Sequence, residues 1–173
     1  MNLSNSFNPQ PKPEKAPKKA KKSLKRANVK KTSAKDAKCD HWFSIHIRLR
    51  DANDEGYCRC IVSGEWVHWT DCDAGHFISR REKATKYHEQ NVHAQKRQSN
   101  RFKSGEQFIY GQNIDKKYGA GTAARIHILS KLARRFEQFE LDALGKMYQL
   151  SAEQTAKAKG LQIPEYMYKQ RYF

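Results

Sequence analysis

The spacing of apolar residues changes several times along this chain. Residues 1–38 hold one aromatic, Phe7, and four of the five prolines, with no recurring apolar period. From 40 to 50, Trp42, Phe43, Ile45, Ile47 and Leu49 predict a short helix, although Ile45, Ile47 and Leu49 also alternate as in a strand. Residues 51–56 read as a turn. Segments 57–62 and 65–69, rich in aromatic and β-branched side chains, predict two strands joined tightly at Ser63-Gly64. Residues 73–79 predict a further strand, followed by a polar loop to Gln90. A short segment, 91–94, leads into a helix-prone stretch that ends near Gly105. Beyond it the pattern is helical over 107–118, breaks at Gly119-Ala-Gly121, and resumes from 123 to 148 with a further break near Gln138. In that last stretch Ile126, Ile128, Leu129, Leu132, Phe136, Phe139, Leu141, Leu144 and Met147 are expected to be core. The fold class is therefore α+β: a small β-hairpin and a strand–loop–strand–helix unit, with helices towards the C-terminus.

Charge adds a partner to this outline. The 173 residues include 34 Lys and Arg against 18 Asp and Glu, a net charge of +16. No apolar run approaches the ~20 residues of a membrane span, and no apolar segment follows the N-terminus as in a secretory leader. A membrane partner is thus not expected, and a cytoplasmic location is. Residues 1–38 carry +10 of the charge, from twelve basic and two acidic residues. Such a segment buries too little apolar surface to offset chain entropy, so it reads as a disordered basic arm. Lys18, Lys19, Lys21, Lys22, Lys25 and Arg26 are its densest part, suited to phosphate contacts with nucleic acid. A merely solubilising tail has the same composition.

Four cysteines, Cys39, Cys58, Cys60 and Cys72, stand in a chain without an export signal, so structural disulfides are not expected. Cys58-x-Cys60 lacks the usual knuckle spacing, which leaves buried thiols or a zinc site assembled from scattered positions.

The chemistry concentrates between Asp73 and Glu106. Cutting a phosphodiester takes a base for water, a cation for developing charge, and groups that fix the base's ring. His76 fits the base and Asp73 a carboxylate ligand, while Asn100 and Glu106 offer further oxygens. Asp73-Ala-Gly-His-Phe-Ile-Ser-Arg80, Asn91-Val-His-Ala-Gln95 and Ser99-Asn-Arg-Phe-x-x-Gly105 together resemble the HNH (ββα-metal) nuclease motif, in the form found in the phage NinG (Rap) recombination proteins. The resemblance extends over about 39–150, through Phe43-Ser-x-x-Ile-Arg-Leu-Arg-Asp51, Tyr57-Cys-Arg-Cys-Ile61, Asp115-Lys-Lys-Tyr-Gly119 and Arg135-Phe-Glu-x-Phe-Glu-Leu141.

The resemblance implies a ββα core over about 57–106 and a helical extension over 107–150; the arm and a tail over 151–173 lie outside it. It makes His76 the general base and Asn91 the residue that holds the base's loop. His93 would face the metal or the scissile phosphate. Asp73 and Asn100 would be metal ligands, Glu106 a weaker one because relatives commonly carry Asn there. Arg80, Arg81, Lys96, Arg97, Arg101 and Lys103 would meet DNA. Many relatives also hold a structural zinc in two C-x-x-C knuckles. Here those positions read Cys60-Ile-Val-Ser63 and Lys96-Arg-Gln-Ser99, so that zinc is expected to be absent.

The implied activity is endonucleolytic cleavage of branched DNA, a D-loop or Holliday junction, in phage recombination within the bacterial host. It would use one Mg²⁺ or Mn²⁺, and paired cuts would call for a homodimer. Two rival expectations share the composition: a catalytically inactive DNA-binding accessory protein, and a basic RNA-binding protein.

Overall fold

The computed structural model describes residues 34–97 and 106–169, all within one unit of the chain, 32–173. Among them are five helices and two small antiparallel strand pairs, a mixed α+β fold.

Helix α1 (Ala34–Asp51) runs through the middle of the core. Cys39, Trp42, Phe43, Ile45, Ile47 and Leu49 are all buried, and so are His46 and Arg48 between them. A helix covered on every side needs no polar stripe, which is why its sequence carries neither a clean helical nor a clean strand period. It opens at Ala34, inside the stretch read as arm, and supplies two carboxylates, Asp36 within that stretch and Asp40 just beyond it.

Strands β1 (Tyr57–Arg59) and β2 (Trp66–His68) pair with Cys58 opposite Val67, turning through Gly64 at φ 73°. Strands β3 (Cys72–His76) and β4 (Val92–Lys96) form the second pair, with Gly75 opposite His93 and His76 opposite Val92. Successive side chains on a strand point to opposite faces. Cys72, Ala74, Val92 and Ala94 accordingly join the α1 core. The opposite face meets α2 (Gln107–Tyr118), where the Tyr110 hydroxyl donates to the Gly75 carbonyl at 2.7 Å. Tyr110 and Ile114 form a second, smaller core with Cys60, Val62 and Ile126.

Helix α3 (Thr122–Ser130) follows the predicted glycine break, and α4 (Gln138–Ala158) packs along α1. The helical stretch expected from 123 to 148 divides at the break expected near Gln138, into two helices separated by 131–137, and α4 continues eight residues past 150. The two segments bury different faces, so Ile128, Leu132, Phe139 and Met147 are exposed; only Ile126 and Leu141 of the expected set are fully buried. A last short helix, α5 (Glu165–Tyr168), returns to α1. Met167 is buried, His41 Nε2 donates to the Met167 carbonyl at 2.8 Å, and Tyr168 meets Trp42 edge-on. Among the described residues no helix is long and apolar enough to cross a membrane.

Candidate functional site

His76 closes β3 on the face that looks toward α1, its ring 6.4 Å from that of Phe43. Its Nε2 lies 3.0 Å from the Lys86 carbonyl. A carbonyl only accepts, so Nε2 carries the hydrogen and Nδ1 keeps a lone pair. That Nδ1 is buried and has no hydrogen-bond partner among the described residues. Burial pushes the imidazole down to about 4, so it is neutral at physiological pH.

The carbonyl that orients the ring is itself fixed. Lys86 is buried, and its ammonium lies 2.7 Å from Asp40 and 3.2 Å from Asp36, one turn apart on α1. The neighbouring Tyr87 hydroxyl donates to Asp40 at 2.6 Å, and the Tyr148 hydroxyl of α4 donates to the Tyr87 carbonyl. Asn91, fully buried, laces the other side of the 77–91 loop. Its Oδ1 accepts from the Ile78 N–H at 2.7 Å, and its Nδ2 donates to the carbonyls of Ile78 and Thr85 at 3.0 and 2.9 Å.

Gly75 joins the two motif halves. A Cβ at this position would lie 2.0 Å from Gln95 Oε1 and 3.0 Å from Gln95 Cβ, so the Gln95 side chain crosses the space a larger residue would fill. The glutamine of the Asn91–Gln95 segment therefore leaves room only for a glycine in the Asp73–Arg80 segment unless its side chain shifts.

His76 lines a cavity of about 290 Å³ with Asp73, Asp40, Ser44, Arg80 and Lys86. The structure thus brings together His76, Asp73 and Arg80 from the sequence expectations. Asp73 is half-buried, and its Oδ1 lies 3.6 Å from Arg97 Nε. Glu106 sits immediately before α2 at φ 45°, the left-handed region. Arg81 is exposed on the 77–91 loop. Asn100, Arg101 and Lys103 lie outside the described residues, as do Lys18, Lys19, Lys21, Lys22, Lys25 and Arg26 of the arm.

His93 stands apart from this cavity. It faces the other side of the β3–β4 ribbon, 1% exposed, with Nδ1 3.3 Å from the Tyr110 hydroxyl and Nε2 2.9 Å from the Tyr118 hydroxyl. Tyr110 already donates to Gly75, so Nδ1 carries the ring hydrogen and Tyr118 donates to Nε2. Burial pushes His93 down to about 3.

Three of the four positions where the resemblance puts zinc knuckles, Cys60, Ser63 and Lys96, come together here, and Ser99 lies outside the described residues. Cys60 Sγ accepts from the backbone N–H groups of Ser63 and Lys96 at 3.4 and 3.3 Å and packs in the second core. The Lys96 ammonium ends on Glu65, and Arg97 also donates to the Thr70 carbonyl. All four cysteines are buried, free thiols. Cys58 and Cys72 face each other, which pushes Cys58 far up, whereas Cys39 lies against Gly145 of α4 and Cys60 in the other core. Among the described residues no three His, Cys, Asp or Glu side chains gather as a metal-binding group.

Sequence reasoning missed Asp36, Asp40 and Lys86. Only the i, i+4 spacing of the two aspartates hinted at a shared face, and Lys86 is 46 residues beyond Asp40.

The described residues form an α+β fold in which one buried asparagine laces a loop around a strand-end histidine. The chain belongs to the NinG family: the model of the Bacteriophage Lambda NinG protein matches residues 5–161, and that family is connected with recombination. No curated protein and no solved structure matches the chain.

Proposed function

We propose that this protein is a divalent-metal-dependent endodeoxyribonuclease of the HNH type, acting on branched DNA in phage recombination. The observation that carries the reading is His76, tethered through Nε2 with Nδ1 left without a partner, in a cavity that Asp73 also lines. A general base needs one nitrogen fixed and the other free of hydrogen bonds.

The donor set suits Mg²⁺ or Mn²⁺, which bind through one or two carboxylates and complete their shell with water and substrate phosphate. Asp73 would hold the cation, with Asn100 and more weakly Glu106 as the resemblance implies. When bound it supplies charge neutralisation at the leaving oxygen. His76 Nδ1 takes a proton from water as that water attacks phosphorus, leaving a 5′-phosphate and a 3′-hydroxyl. Asn91 keeps the 77–91 loop, and with it the Lys86 carbonyl, in register with the ring. Arg80 lies where it can meet a non-bridging phosphate oxygen.

The test is incubation of the full chain with a four-way junction, a D-loop and linear duplex, in Mg²⁺, Mn²⁺ or EDTA, beside His76→Ala. Nicking is expected on branched substrates with metal only. The variant should cut about 10²–10⁴-fold more slowly while binding DNA as the parent does. No metal-dependent nicking on any substrate, or full activity in His76→Ala, overturns the catalytic reading. Preferential binding to RNA junctions overturns the choice of DNA.

A further inference from the structure

The segments of the resemblance that the His76 cavity leaves unused meet elsewhere. The ends of Phe43–Asp51 and Tyr57–Ile61, the middle of Asp115–Gly119, and His93 line one cavity of about 630 Å³ on the opposite side of the β3–β4 ribbon. Four cationic side chains border it, Arg50, Arg59, Lys116 and Lys117, against a single carboxylate, Asp51.

That carboxylate is fully engaged. Asp51 accepts from Arg50 Nε and Nη2 at 3.0 and 3.1 Å, from Lys117 at 3.3 Å and from the Ala94 N–H at 2.8 Å. It neutralises part of the Arg50–Lys117 pair and has nothing left for the other two cations. Arg59 is exposed and, among the described residues, donates only from Nε, to the Gly64 carbonyl. Lys116 is exposed and has no ion-pair partner among the described residues. His93 at the floor is neutral, so it neither adds to nor offsets this charge. The cavity thus presents uncompensated positive charge at two free cationic groups, one on β1 and one on α2.

We propose that this cavity is a second phosphate-binding site, which grips the backbone of a nucleic-acid strand on the side of the ribbon opposite His76. The inference rests on the nucleic-acid part of the function proposed above and not on cleavage. A protein that holds phosphates on two faces of one ribbon can straddle a branch, reading its shape through backbone contacts.

Binding in EDTA tests it without chemistry. The full chain is titrated by fluorescence anisotropy against a labelled four-way junction over a range of NaCl. The parent is compared with Arg59→Ala/Lys116→Ala and with Lys157→Ala/Lys169→Ala as an equal loss of charge elsewhere. Each lost phosphate contact lowers the slope of log Kd against log salt by about 0.9. The cavity variant is expected to lose about two units of slope and on the order of tenfold in affinity at 100 mM salt. The control pair should keep the parent's slope, and all three proteins should melt alike because the altered side chains are exposed. A cavity variant that loses no more than the control overturns the site. Inorganic phosphate that raises the parent's Tm but not the variant's, with unchanged DNA slope, assigns a small anion instead and overturns the strand. A parent that binds no DNA at all defeats the underlying reading, and a result of that kind is distinct from the other two.

Discussion

Gly75 and Asn91 show how single residues of the motif act through packing as well as chemistry. At Gly75 the space for a Cβ is already taken by Gln95, so Gly75→Ala must displace a buried side chain from the strand opposite. Overpacking of this kind costs about 1–3 kcal/mol. Urea unfolding should show that loss, and the double variant with Gln95→Ala should recover much of it, a coupling that unrelated sites would not give. Asn91→Ala should be costlier still. It strands the Ile78 N–H and carbonyl and takes one of two donors from the Thr85 carbonyl, which still accepts from the His88 N–H; each polar group left without a partner costs about 1–3 kcal/mol. The same measurement should place this variant at least about 2 kcal/mol below the parent. Hydrogen exchange at the Ile78 amide should accelerate, because Asn91 is the acceptor that protects it.

Among the elements, α1 decides how the site is held, and it is also where sequence reading reached least far. The pattern over 107–118 and the glycine break after it are sharp, because α2 has one buried face and one exposed face. The two strand pairs were legible from β-branched and aromatic residues around Ser63-Gly64 and from the motif itself. Helix α1 was expected only over 40–50 and with a strand period competing, since little of it is exposed; the break expected near Gln138 is where α4 begins, but apolar residues that turn out to face solvent hid the length of the 131–137 seam. His76, Asp73 and Asn91 were visible as a motif, but the partners that hold the loop were not. Asp36 and Asp40 on α1 meet Lys86 of the loop only in three dimensions. Lys86→Met should therefore behave as an element-level lesion. It leaves two carboxylates facing each other without their cation, and breaking a buried ion pair from one side costs about 3–5 kcal/mol. Thermal unfolding should show a clear loss of Tm, and adding Asp36→Asn and Asp40→Asn should restore most of it. If the triple variant is no more stable than Lys86→Met, the carboxylates are not what the lysine offsets.

At the scale of the whole molecule, the +16 charge and the buried imidazoles set the response to acid together. His93 is held neutral between Tyr110 and Tyr118, with Arg50 and Lys117 opposing its protonation and Asp51 favouring it; burial is the largest influence and pushes it from 6.5 to about 3. His46, under α4 near Glu89, is also held below its ordinary value by burial. A histidine lowered in the folded state is protonated first in the unfolded chain. Between about pH 6.5 and 3 the unfolded state therefore binds more protons, and stability falls as pH falls. Each such histidine contributes a slope of about 1.4 kcal/mol per pH unit within its window. Asp51, held below 3.8 by the bidentate Arg50 pair, extends the loss below pH 4 as its carboxylate is finally neutralised. Added positive charge on an already basic chain acts in the same direction. Urea unfolding at pH 7, 6 and 5 should thus show falling stability across the series. His93→Gln, which keeps a polar group between the two tyrosines but cannot titrate, should flatten the slope between pH 6 and 5 by about 1.4 kcal/mol per unit, whatever its stability at pH 7. An unchanged slope in that variant would mean that His93 is accessible to protons in the native state and is not the buried neutral ring at the floor of the second cavity.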